Sequence, residues 1–73
     1  MNAEEMFSEL GYKKCNDCTN PSYSKIGDPY TWVNFYMLSR RVAVSSQRDL
    51  GYECLDCELI KAIHKQCEEL GWI

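Results

Sequence analysis

Four of the five cysteines in this 73-residue chain fall into two Cys-x-Asp-Cys pairs. Cys15 and Cys18 lie in GYKKCNDC, and Cys54 and Cys57 in GYECLDC. Two residues between paired thiols let both sulfurs of a tight turn face one ion, and two such pairs complete a tetrahedron of thiolates. The spacing therefore predicts one Zn2+ held by Cys15, Cys18, Cys54 and Cys57. Four thiolates close the coordination sphere, so the ion would be structural, with no open position for water or substrate. The 35 residues between the pairs are enough to hold a small sheet, and the ion would pin both ends of it together.

Two other readings of the pairs compete with zinc. They could be reduced, buried thiols, or a redox dithiol of the thioredoxin kind. The redox reading wants a strand-to-helix setting, and only Cys54/Cys57 precedes a helix, with no βαβ pattern around it. Cys67 falls on an apolar helical stripe, where a free cysteine acts as a small hydrophobe. His64 lies seven residues beyond Cys57, about 10 Å of helical rise, too far to share one ion easily with it. Neither is expected to be a ligand. No Ser/His/Asp arrangement, Gly-rich phosphate loop or pair of carboxylates in apolar context is present, so catalysis is not expected.

Eight basic and eleven acidic side chains give a net charge of −3. Zinc on four thiolates would lower the sum by two more. This sign disfavours a domain whose affinity comes from neutralising phosphates and favours a basic protein surface as partner. Arg40, Arg41 and Arg48 form a small basic cluster, and Tyr30, Trp32 and Tyr36 could make a stacking surface. The bland readings are a solvated turn and sheet cover.

The chain has room for one domain, residues 1–73, with a core small enough to benefit from a metal staple. Asn2 and Glu5 fit a capping box, Ala3, Met6, Phe7 and Leu10 share a helical face, and Gly11 stops the helix with Tyr12 behind it. A second helix follows Asp56 as N-cap, with Leu59, Ile60, Ile63, Cys67 and Leu70 as its stripe, and ends in ELGW, the punctuation already seen in ELGY. The repeated Gly-Tyr is therefore helix-stop chemistry at Gly11, whereas Gly51 reads as a turn. Between the helices, 30–38 and 41–46 are rich in β-branched and aromatic residues and read as a hairpin turning at Ser39-Arg40, through more than two residues. Residues 23–26 supply a third strand before the turn GDP. Val33 and Phe35 share one face with Thr31 and Met37; Val42 and Val44 join the buried side. The expected fold is α+β in the order α-β-β-β-α, an antiparallel sheet of about three strands packed with two helices and stapled by zinc. The acidic N-terminus has no basic n-region or apolar h-region, and the longest apolar run is too short to span a bilayer, so a cytoplasmic protein is expected.

The two ends, MNAEEMFSELGYKK and KAIHKQCEELGWI, resemble small proteins encoded by phages and prophages of Gram-positive bacteria, a setting that includes type II anti-CRISPR proteins. The resemblance covers about a third of the chain. It implies a non-enzymatic inhibitor in the host bacterial cytoplasm that binds a type II CRISPR RNA-guided nuclease and blocks its DNA loading or cleavage. The nuclease's positive channels suit an acidic partner. Glu58, Glu68 and Glu69, which the apolar stripe turns toward solvent, are the expected contact residues. The alternative is a zinc-ribbon-like nucleic-acid or transcription accessory module, in which the three arginines would matter most.

Overall fold

The computed structural model describes residues 1–27, 30–47 and 55–73. Helix α1 spans Ala3–Glu9 and is built as its sequence requires. The Glu5 N–H donates to Asn2 Oδ1 at 2.8 Å, and Glu5 Oε1 accepts the Asn2 N–H at 3.1 Å. Both bonds satisfy donors that a helix start leaves open. At its end Gly11 takes φ +93°, the Gly11 N–H donates to the Ser8 carbonyl and the Tyr12 N–H to the Phe7 carbonyl. That is a Schellman stop, and Tyr12 returns over Phe7 edge-on at 5.7 Å.

The chain then enters a four-stranded antiparallel meander in the order β1-β2-β3-β4. Its strands are β1 (Lys13–Lys14), β2 (Ser22–Lys25), β3 (Thr31–Tyr36) and β4 (Arg41–Ser46). The expectation of about three strands is corrected by β1. Two lysines carry no apolar alternation to betray a strand, and only the register Lys13↔Ser24 and Lys14↔Tyr23 makes them one. The β3–β4 register centres on Val33↔Val44 and Phe35↔Val42. Its turn takes four residues, Met37–Arg40, and Arg40 adopts φ +53°. Met37 and Leu38, expected inside the strand, instead lie exposed in this turn. The Met37 N–H donates to Asn20 Oδ1 at 3.2 Å, tying the turn to the β1–β2 loop.

Helix α2 spans Cys57–Glu69. Asp56 caps it by accepting the Leu59 N–H at 2.7 Å. Gly71 (φ +77°) and Trp72 end it with the same two backbone bonds that end α1, here to Glu68 and Cys67. The ELGY and ELGW echoes are thus one stop motif used twice.

Both helices cover one face of the sheet. Phe7 stacks on Tyr23 with centroids 3.9 Å apart, Phe35 meets both rings edge-on, and Trp72 reaches Phe35 at 6.3 Å. Phe7, Tyr23, Val33 and Phe35 are the largest fully buried side chains. Val42, Val44, Ile63, Cys67 and Leu70 pack half-buried around them, as their stripes predict. Ile60 departs from its stripe. It is 50% exposed beside Met6, and Ala62 and Gln66 take the buried positions.

Gln66 is buried at 8% exposure because its Oε1 accepts the Tyr23 O–H at 2.5 Å, joining α2 to the central sheet. The Ala3 N–H donates to Glu69 Oε2 at 2.7 Å, so the start of α1 meets the end of α2.

Candidate functional site

Cys15 and Cys18 sit in the loop between β1 and β2. The Cys15 N–H donates to the Ser22 carbonyl at 2.8 Å, which holds the loop's entry against its exit. The two cysteines are joined as a disulfide, with Cα atoms 5.7 Å apart. Cys57 is the first residue of α2, an exposed free thiol. Cys54 and the expected turn at Gly51 lie outside the described residues, as do Arg48, Asp28 and Pro29.

Among the described residues no group of three or more His, Cys, Asp or Glu side chains converges as a metal site. The donor chemistry of Cys15 and Cys18 still suits zinc. One short loop presents both sulfurs together, and breaking their mutual bond yields two thiolates from one turn. Disulfide and metal are exclusive uses of these two atoms, so redox state decides between them. Cys67 is half-buried against the core, and burial pushes its thiol pKa up. A thiol so placed is a packing group. His64 is exposed and lies 3.7 Å from Glu68.

The three carboxylates singled out on α2 differ in their engagements. Glu58 pairs with Lys61 at 3.4 Å, and Glu68 faces His64. Both pairs are solvent-exposed, and such pairs hold their charges only weakly. Glu69, although also exposed, holds the Ala3 N–H and so ties the helices together.

Charge divides between the two layers in a way the net figure hides. The segments that form the helical layer, 1–12 and 55–73, carry Glu4, Glu5, Glu9, Asp56, Glu58, Glu68 and Glu69 against Lys61 and Lys65, a balance of −5. The sheet segment, 13–47, carries Lys13, Lys14, Lys25, Arg40 and Arg41 against Asp17 and Asp28, a balance of +3. All seven helical carboxylates belong to exposed residues. Among the described residues, Glu4 and Lys14 pair across the layers at 3.6 Å.

The strand alternation that buries Val33 and Phe35 puts Trp32, Asn34 and Tyr36 on the opposite face of β3. Their cross-strand neighbours are Ser24, Ser22, Ser45, Ala43 and Arg41, all but the last small. Among the described residues no helix is long and apolar enough to cross a membrane. Compared with known proteins, the chain matches no family model, no curated protein and no solved structure.

Proposed function

We propose that this chain is a non-catalytic binding domain whose acidic helical layer docks on a basic protein surface. The observation that carries the reading is the −5 balance of that layer, spread over seven exposed carboxylate residues. Such a surface steers encounter with a positive partner and repels acidic ones. The partner proposed is the RNA-guided nuclease of a type II CRISPR system, whose guide and target channels are positively charged. That choice follows from the resemblance suggested by the sequence of the two helical ends, and the charge of the helical layer is compatible with it. Docking there would obstruct DNA loading or a later conformational step.

Glu58 and Glu68 are the proposed contact residues. Each leaves only a weak exposed pair to reach a partner. Glu69 has a structural task as well, so it is the less independent of the three. Zinc enters the proposal as a staple. In a reducing compartment the Cys15–Cys18 bond opens, and both thiolates join Cys54 and Cys57 around one Zn2+.

The test is a cleavage assay. Reduced protein is mixed with each of a panel of type II nucleases loaded with guide, and target DNA is then added. Inhibition with co-elution of the complex supports the reading. No binding and no inhibition across the panel refutes it.

A further inference from the structure

The sheet face turned away from the helices carries two cations, Lys13 and Arg41, and aromatic rings of which Tyr36 is exposed and Trp32 and Tyr30 are half-buried. On β3, Trp32 lies between the small residues Ser24 and Ser45 in the register, and its side chain is half-buried. The Tyr30 ring stands 5.8 Å from it at a 44° tilt. Four residues along the same strand Tyr36 is exposed, opposite Arg41. At about 3.3 Å per residue, Trp32 and Tyr36 are about 13 Å apart. Lys13 pairs with Ser24 on the same face and, with Gly11, Ser24, Ile26 and Tyr30, lines a shallow hollow of about 160 Å3. The floor between the rings consists of Ser22, Asn34 and Ala43, with Ser22 Oγ and Asn34 Oδ1 2.8 Å apart.

We propose that this outer sheet face binds single-stranded nucleic acid, with bases stacking on Trp32 and Tyr36 and phosphates meeting Lys13 and Arg41. Three features argue for this occupant over an apolar peptide. Flat rings separated by small side chains leave room for bases to lie against them, and stacking works for every base because each has a π-face. Lys13 on β1 and Arg41 on β4 flank the ring row at opposite corners of the sheet, which suits a polyanion that crosses the strands diagonally. Among the strand residues that the register puts on this face, the charged ones are Lys13 and Arg41, both cationic, so the local charge differs in sign from the chain's net −3. The negative helical layer keeps a polyanion from the other side, which gives the site one orientation.

The proposal stands apart from the nuclease reading, because it uses the opposite layer and other residues. It is tested by fluorescence anisotropy of a labelled dT oligonucleotide of about ten nucleotides, within the span that single-strand sites of this kind cover. The titration uses the full reduced chain at low salt and is repeated as salt rises. Binding is expected with a log–log salt slope of about −0.7 for each phosphate neutralised. Trp32→Ala should weaken it at least about fivefold, the low end of one stacked base. Lys13→Glu and Arg41→Glu should each flatten the slope, and both residues are exposed, so neither change threatens the fold.

Glu58→Lys with Glu68→Lys should leave these losses in place, whatever that pair does to nuclease binding. No binding at low salt overturns the proposal. So does binding that Trp32→Ala leaves unchanged in a variant whose circular dichroism is native. Self-association in light scattering that Lys13→Glu abolishes, without oligonucleotide binding, would make a second copy of the chain the occupant and equally overturn it.

Discussion

The Tyr23–Gln66 hydrogen bond is a buried polar link between α2 and the sheet, and its removal has a calculable effect. Tyr23→Phe keeps the ring that stacks on Phe7 and removes only the donor. Gln66 Oε1 is then left in a site 8% exposed to water without that partner. An orphaned buried acceptor costs about 1–3 kcal/mol. A domain of this length has a total stability of roughly 4–11 kcal/mol, so the loss is a large fraction of it. At about 4–8 °C per kcal/mol, Tm should fall by about 4–24 °C. Gln66→Leu strands the Tyr23 hydroxyl instead and should cost a similar amount. The double variant removes both groups and should be less destabilised than the sum of the singles, by about 1–2 kcal/mol. Urea unfolding followed by circular dichroism gives all four corners of the cycle. Additive single effects, or a Tyr23→Phe change below about 0.5 kcal/mol, would refute the claim that this bond couples the layers.

Other consequences follow from the same geometry. Gly11→Ala and Gly71→Ala force an L side chain to positive φ and should each cost about 1–2 kcal/mol in urea melts. The costs should be similar, because the added Cβ at Gly11 meets only the flexible Lys25 Cε at 3.3 Å and that at Gly71 meets nothing within 4 Å. Burial first, then the charges of Glu4 and Glu69, raises the Tyr23 pKa from 10.0 to about 12. The folded state therefore keeps a proton that the unfolded chain gives up, so this contribution is intact below pH 10.0 and is lost as pH rises toward about 12. Tyr23→Phe should lose less stability than the parent between those values when melts are compared across the alkaline range. In reduced protein, elemental analysis should find one zinc per chain, lost in Cys57→Ser and kept in Cys67→Ser and His64→Ala. Cys67→Ser should itself cost roughly 1–3 kcal/mol through a poorly satisfied half-buried hydroxyl.

The helix ends were legible because their signals are local. Asn2 with Glu5, Asp56, and the two glycines each act within one turn of their own position, so spacing alone identifies them. The core face of β3 was legible from period-two alternation through Val33 and Phe35. The missed elements depend on distant partners. Lys13–Lys14 is a strand only because β2 lies alongside, and no lysine pattern announces that. Gln66 reads as a surface residue until the Tyr23 hydroxyl, 43 positions away, makes its burial affordable. Ile60 has the right spacing for the stripe, but α1 is short and leaves its side of α2 half-open beside Met6. The separation of charge between the layers was present in the composition, yet it required knowing which segments share a layer. The spacing of the cysteine pairs predicts a zinc set, and the fold brings Cys15 and Cys18 side by side, joined as a disulfide, while Cys54 lies outside the described residues.

Binding to a type II RNA-guided nuclease, measured for the parent and for Glu58→Lys/Glu68→Lys at two salt concentrations, tests the central claim most directly. Both residues are exposed, and Glu58 lies in the first turn of α2, so the double reversal should cost about 1 kcal/mol of helix-terminus stabilisation and leave the chain folded. The account predicts a complex that weakens as salt rises and is weakened roughly tenfold or more by the double reversal. Equal affinity of the two proteins at both salts, with the fold of each intact, would contradict it.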